Sequence, residues 1–232
     1  MRIEAMDVRD RQHVDAVIAV LAAAHPVDFP DDPPFCPSWD RGRLTHPLPA
    51  STHEQWLAVG ADREVLGVLM LDLPQLDNVT TALGELTVHP DARRRGIGTA
   101  LAAQARERAL AHGRKLLIAW STLGGTAEQF LQRNGYSIGL TEHRQLLVVT
   151  PERQASWHRL HEESLPHAAG YRLARWQDET PEQHAGGIAY LTHRMSTDAP
   201  LGELQWEAEA WDADRVLITD AVMPVWGMRC YT

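Results

Sequence analysis

Between residues 85 and 101 the chain reads Glu-Leu-Thr-Val-His-Pro-Asp-Ala-Arg-Arg-Arg-Gly-Ile-Gly-Thr-Ala-Leu. The run up to His89 predicts a strand, Pro90 and the two glycines a tight turn, and Ile97, Leu101, Ala105 and Ala109 a helix with one buried face. A helix N-terminus presents unpaired N–H groups at the positive end of its dipole, so a junction in this order suits an anion. Gly96 and Gly98 allow close backbone approach. Arg93, Arg94 and Arg95 add guanidinium groups that pair bidentately with phosphate. A basic turn without glycines would read as a solvated surface; with them, anion binding is the better account. ATP and dinucleotide sites are excluded: no Gly-Lys-Ser/Thr follows, and Leu101 stands where a dinucleotide turn needs its third glycine.

Other reactive side chains group less convincingly. His158 and His161 share a helical face but have no evident third ligand, so no metal site is expected. Asp28, Asp31 and Asp32, with Glu54, Asp62 and Glu64 nearby in sequence, read either as the lining of a site for a cationic amine or, more plainly, as a solvated acidic loop. Asp77 and Asn78 belong to a turn and are expected to satisfy backbone groups. Cys36 and Cys230 are distant and unpaired in spacing, which argues against a disulfide framework or a cysteine zinc site.

The elements that must position the turn follow from periodicity. Arg2 to Asp7 predicts an edge strand and Arg11 to Ala24 a helix; five prolines from Pro26 to Pro37 predict a loop or short helical turn as far as Asp40. Gln55 to Val59 and Val65 to Leu73 form a predicted hairpin, and Ala82 to His89 a third central strand. Leu116 to Trp120 reads as a buried strand, Thr126 to Gln132 as a helix ended by Asn134-Gly135, and Tyr136 to Val149 as one or two last strands. This is a layered α/β order over residues 1–150. Glu152 to Glu163 follows as a polar connector, and then the opening restarts. Arg172 to Trp176 echoes Arg2 to Met6, and Gln183-His184 before Ile188 to Leu191 echoes Gln12-His13 before Ile18 to Leu21. An offset of this size suggests a duplicated domain, although any strand and amphipathic helix begin alike.

With 232 residues, 44% hydrophobic and 23% charged, the chain has the composition of an ordinary globular protein. A net charge of −9 disfavours a nucleic-acid binder and favours cationic partners. The longest apolar run is too short to span a bilayer and no signal-type segment opens the chain, so a cytoplasmic protein without membrane contact is expected.

Arg93-x-x-Gly96-x-Gly98, preceded by Val88-x-Pro90, resembles the acyl-CoA pyrophosphate motif of the GNAT superfamily of acetyl-CoA-dependent N-acetyltransferases. The order of elements over residues 1–150 is similar to that fold, as is the Ala127 to Tyr136 segment. The resemblance implies an α/β (α+β layered) architecture with a mixed, mostly antiparallel central sheet and flanking helices. It implies that the N–H groups of Arg94, Arg95, Gly96, Ile97, Gly98 and Thr99 hold the pyrophosphate beside Arg93. Leu86, Thr87 and Val88 would offer main-chain groups to the pantetheine arm where the fourth and fifth strands part. Acetyl-CoA is then the cosubstrate, no metal is needed, and the acceptor is a primary amine of a small molecule. An alkylammonium, with a pKa of about 10.4, must lose a proton before it attacks. Glu85 is the candidate base, with a carboxylate that orders Arg93 or faces solvent as an equal reading; the N–H of Val88 would stabilise the oxyanion. Many family members have a tyrosine acid where this chain has Leu131, beside Phe130. Water-assisted catalysis and a non-catalytic acyl-CoA-binding or assembly domain therefore both stay open.

Glu85-Leu86-x-Val88-His89-Pro90, the run Arg93 to Thr99, and Trp120-Ser121-Thr122-Leu123-Gly124 are further similar to the first domain of tandem GNAT proteins such as mycothiol synthase. This implies a GNAT domain over 1–150, a connector over 151–170 and a partial second GNAT-like domain over 171–232 that lacks the CoA motif. The tail is expected to pack on its own first domain or on a partner, and a homodimer that shares a sheet or exchanges tails stays open.

Overall fold

Val65–Pro74 is apolar almost throughout because both faces of this strand are covered. In the computed structural model, which describes residues 1–232, it is the centre of a five-stranded sheet. The strands are β1 (Arg2–Ala5), β2 (Ser51–Val59), β3 (Val65–Pro74), β4 (Thr81–Val88) and β5 (Leu116–Ile118), and they neighbour one another in chain order. The first four are antiparallel and β5 runs parallel to β4. The mixed, mostly antiparallel sheet with flanking helices is therefore observed.

Alternation along β3 divides the core into two layers. Val68 and Met70 face α1 (Arg11–Asp28) and α2 (Pro37–Thr45), where Val14, Val17, Ile18, Leu21 and Leu44 meet them. Leu69, Leu71 and Leu73 face α3 (Ile97–Ala111), which contributes Ile97, Leu101, Ala105 and Ala109. At Gly67 an added methyl group would lie 2.9 Å from the carbonyl oxygen of Thr87 and 3.2 Å from Leu101, so glycine lets the sheet and α3 close up there. The helix α4 (Thr126–Arg133) ends at Asn134-Gly135 as expected, with Gly135 at φ 85°.

Three expectations are corrected. The proline-rich stretch is not a continuous loop: α1 runs through Pro26 to Asp28, and Pro37 opens α2 in the first turn, where its missing N–H is not needed. Tyr136 to Val149 forms no strand. Its ends are tied elsewhere, Gly139 accepting from the N–H of Glu203 and Arg144 pairing with Asp32, and Leu146 to Val149 stay exposed. Arg172 to Trp176 is also not a strand, because its only extended neighbour is a short stretch at Thr232. Trp176 and Thr232 exchange backbone hydrogen bonds of 3.0 and 3.1 Å, and one bridge joins Gln177 to Tyr231.

After α5 (Pro151–Ser164), the helices α6 (Glu182–Asp198) and α7 (Ala213–Asp220) complete the chain. This tail packs on the sheet domain as expected. Asp77 accepts from the N–H of Ala210 at 3.0 Å and from Arg215 at 2.5 Å, while Asn78 exchanges hydrogen bonds with the backbone and side chain of Glu207. The turn residues do satisfy backbone groups, those of the tail.

On the α3 side, Glu54 takes two hydrogen bonds of 2.7 Å from Arg108 and one of 2.7 Å from His112, and Trp56 adds a fourth. Arg108, opposed by partial burial, lowers the Glu54 pKa from 4.5 to about 2. A carboxylate with a depressed folded pKa stabilises the fold above its unfolded pKa and loses that contribution as pH falls through the folded value. Urea denaturation should therefore show Glu54→Gln to be clearly less stable than the wild type at pH 7, with the two converging as the pH is lowered from about 4.5 towards 2. A gap independent of pH would contradict this account.

Candidate active site

The site begins where β4 loses one neighbour. Thr81, Ala82 and Leu83 pair with Leu116, Leu117 and Ile118, and β5 then ends while β4 continues to Val88. The N–H of His89 points at β3, donating to Leu66 at 2.9 Å, so strand alternation turns the N–H and C=O of Val88, Leu86 and Gly84 towards the gap. Leu86 and Val88 still pack their side chains against the α3 layer. On the gap side the N–H groups of Leu86 and Val88 and the Leu86 carbonyl are without a protein partner, whereas the Val88 carbonyl accepts from Arg93 Nε at 3.1 Å.

At the end of β4 a single turn of 3-10 helix, Pro90–Ala92, leads into the arginine and glycine turn. Arg94 at φ 64° and Gly96 at φ 81° both lie in the left-handed region, which aims successive N–H groups to one side as an anion-binding concavity. None of the N–H groups of Arg94, Arg95, Gly96, Ile97, Gly98 or Thr99 donates to a protein acceptor. Nothing lies within 4 Å of a methyl group placed at Gly96. Gly98 is closed from behind, because an added methyl would sit 3.2 Å from the Phe130 ring.

The three arginines divide into two roles. Arg93 is structural as well as basic: it grips both oxygens of Asp28 at 2.8 and 2.7 Å, tying the turn to the end of α1. Arg95 donates to the carbonyl of Asp91 at 2.9 Å, and both Arg94 and Arg95 are exposed beside the free N–H groups.

On the opposite side of β4, Glu85 and Thr87 border a cleft of about 500 Å³ beneath the end of α1, the proline-rich stretch and α2. Phe29, Phe35 and Trp39 give it apolar walls; Asp28, Asp32 and Asp40 add carboxylates. Glu85 is 49% exposed at its side chain and does not order Arg93. Its partner is Arg43, whose two terminal nitrogens lie 3.1 and 3.4 Å from its oxygens and whose Nη2 also reaches Asp40 at 3.2 Å. Burial raises the Asp40 pKa above 3.8, against the lowering effect of Arg43. Burial likewise opposes the Arg43 cation, but Glu85 and Asp40 outweigh it and hold its pKa above the usual guanidinium range. Arg144 pairs with Asp32 at the mouth of the cleft. Three guanidinium groups thus face four carboxylates, Asp28, Asp32, Asp40 and Glu85.

Asp28 and Asp32 of the acidic loop border this cleft. Asp31 is exposed outside that lining, Glu54 lies on the α3 side, and Asp62 and Glu64 stand at the β2–β3 turn. Asp40, Arg43 and Arg144 were not legible as site residues. Arg43 meets Glu85 across 42 positions, and only the three-residue spacing of Asp40 and Arg43 hints at a shared helical face. Leu131 brings no hydroxyl, and burial raises the Tyr136 pKa above 10.0, so that phenol stays protonated at neutral pH.

The profile of the acetyltransferase (GNAT) family matches residues 15–136. No curated protein sequence matches the chain. Among solved structures, a tandem GNAT protein from the clavulanic acid biosynthesis pathway, without AcCoA, aligns with 99% of this chain and 68% of its own, at 24% identity and TM-score 0.69. That likeness establishes the fold over nearly the whole chain, tail included. A mutant protein from Bacillus halodurans aligns with 64% of this chain and 100% of its own, at 18% identity and TM-score 0.49. A Pyrococcus furiosus protein described as an acetyl transferase aligns with 65% of this chain and 99% of its own, at 22% identity and TM-score 0.45.

Arg43 provides a test of the cleft electrostatics. Arg43→Met leaves Asp40 and Glu85 without their common cation, and should lower stability by about 2 kcal/mol at pH 7. Without the guanidinium the folded Asp40 pKa rises further, so the folded variant binds a proton that the unfolded chain does not. The deficit should shrink as pH falls through that raised pKa. Thermal unfolding at pH 7 and pH 4 measures both values; a deficit that grew on acidification would refute the pairing.

Proposed function

Because the chain belongs to the GNAT acetyltransferase family, we propose that it transfers an acetyl group from acetyl-CoA to the primary amine of a small molecule. The observation that carries this reading is the row of six N–H groups, Arg94 to Thr99, without a protein acceptor. Unpaired donors at a helix N-terminus, with open space at Gly96 and two exposed guanidiniums, fit a pyrophosphate. The open N–H groups of Leu86 and Val88, with the Leu86 carbonyl, then fit an amide-bearing arm as an added strand does.

When bound, acetyl-CoA supplies an activated thioester carbonyl and a thiolate leaving group. Glu85 takes a proton from the acceptor ammonium, directly or through water, so that the nitrogen lone pair forms the N–C bond as the C–S bond breaks, and the second proton that the nitrogen sheds goes to the departing thiolate. The N–H of Val88 donates to the carbonyl oxygen on which negative charge develops. Arg43 orients Glu85, and the surplus of carboxylates in the cleft draws the cationic acceptor in. The departing thiolate, from a thiol with a pKa of about 8.5, needs less help from an acid than an alkoxide would. That accommodates Leu131 in place of a tyrosine. Leu131 also favours a second reading, a non-catalytic acyl-CoA-binding or assembly domain.

Calorimetry with acetyl-CoA and a CoA-release assay over an amine panel separate the two. Gly96→Asp should weaken acetyl-CoA affinity at least about tenfold, through an added negative charge and a side chain forced to positive φ; unaltered affinity would refute the pyrophosphate assignment. Glu85→Gln should leave acetyl-CoA affinity intact while lowering kcat/KM for the amine about a hundredfold. An unchanged rate would remove Glu85 as base, and binding without amine-dependent release would favour the non-catalytic reading.

A further inference from the structure

The mechanism above uses nothing beyond residue 150, yet the tail reaches the wall of the cleft. Trp226 ends a short 3-10 turn, Met223–Trp226, and is 8% exposed. Its indole N–H donates at 2.8 Å to the carbonyl of His46, the residue that closes α2. Its ring meets that of Trp39 edge-on, with centroids 6.4 Å apart and planes at 88°. The backbones are closer still: a methyl group at Gly42 would lie 2.6 Å from Cα of Trp226, and only glycine lets the two segments meet.

Trp39 carries the contact onward. The Arg43 guanidinium lies 4.6 Å from its ring centroid, and the same guanidinium holds Glu85 and Asp40. A continuous line of contacts, Trp226 to Trp39 to Arg43 to Glu85, thus runs from the tail to the proposed base. The helix between them cannot hold its own place. It has nine residues, and Cys36 at its N-cap makes no capping hydrogen bond to it through its side chain. A helix so short owes its order to what packs on it.

We propose that Trp226 is a positioning residue for the acceptor site: by clamping α2 it sets Trp39 and Arg43, and through them the wall and charge that an acceptor amine meets. The inference rests on the reading of this cleft as the acceptor site. It gives the region after residue 170 a role in the chemistry of the first domain, although Trp226 lies well outside the matched residues 15–136.

The test compares full-length wild type, Trp226→Ala and Trp226→Phe, using whichever amine of the panel the wild type acetylates best. Trp226→Ala should raise KM for the amine about tenfold, with acetyl-CoA affinity by calorimetry within about twofold of wild type. Trp226→Phe keeps a ring against Trp39 but not the N–H to His46, and should recover most of the loss. Iodoacetamide alkylation of Cys36 against pH, in a Cys230→Ser background, reads the position of α2 without any acceptor. The Ser38 hydroxyl and the Trp39 N–H hold the Cys36 thiol below its usual pKa, so releasing the helix should move the alkylation midpoint upward in Trp226→Ala. A merely stabilising tryptophan would weaken acetyl-CoA binding along with amine KM, and that result overturns the proposal. An unmoved amine KM overturns it too, whether or not the Cys36 profile shifts. Transfer to no amine by the wild type defeats the functional reading and this inference together, whereas transfer that Trp226→Ala leaves unaltered defeats this inference alone.

Discussion

Between Gly84 and Val88 one strand has a partner on only one side, and the arrangement of the site depends on that gap. An open strand edge presents a row of N–H and C=O groups without partners, a template for an extended ligand or another strand. Here β5 stops after pairing with Leu83, and the freed backbone of β4 leads directly to the turn at Arg94 and Gly96. Gly67 lets α3 lie close over the sheet, which brings the first turn of that helix to the end of β4. Arg93 joins the two by bonding Val88 on one side and Asp28 on the other. The open edge, the anion turn and the end of α1 therefore form one connected unit, and a shift in any of them would be felt by the others.

The turn was the most legible part of the sequence because its signals are local. Glycine spacing, the strand before it and the four-residue recurrence of Ile97, Leu101, Ala105 and Ala109 all lie within 25 residues, and the observed α3 begins at Ile97. The sheet order was legible for a related reason, since consecutive antiparallel strands need only short connections. What failed was whatever depended on a distant partner. Leu146 to Val149 have the composition of a strand, but a strand exists only against a neighbour, and contacts from Asp32 and Glu203 draw the flanking residues elsewhere. The prolines concealed α2, because a proline that opens a helix and one that ends it look alike in sequence. With α2 hidden, Asp40 and Arg43 had no face to share, and Glu85 had no visible partner.

The tail presents the converse case. Its second helix-forming segment does recur as α6, while its strand-like opening does not pair as β1 does. What fastens it to the sheet domain is mostly polar: Asp77 and Asn78 bind the backbone around Glu207 and Ala210, and Arg215 closes on Asp77. A single buried indole supplies the apolar anchor on α2. Polar latches fix orientation more than they add affinity, whereas a buried tryptophan contributes area and geometry together. The tail is therefore held in register by one set of residues and pressed against the cleft wall by another.

Charge is also divided along β4. At its end, Arg94 and Arg95 stand beside six N–H groups without a protein acceptor; beside Glu85, four carboxylates meet three guanidiniums. On the proposed function, a cationic acceptor would complete the pairing in the cleft and gain from it. A neutral molecule leaves the surplus carboxylate unmatched, and an anion adds to it. Because Asp40 is buried, that surplus is not readily dispersed into solvent, and Arg43 cannot satisfy Asp40 without sharing itself with Glu85. On the proposed function, selection for a positively charged acceptor would thus follow from how α2 is seated, and not from any one carboxylate.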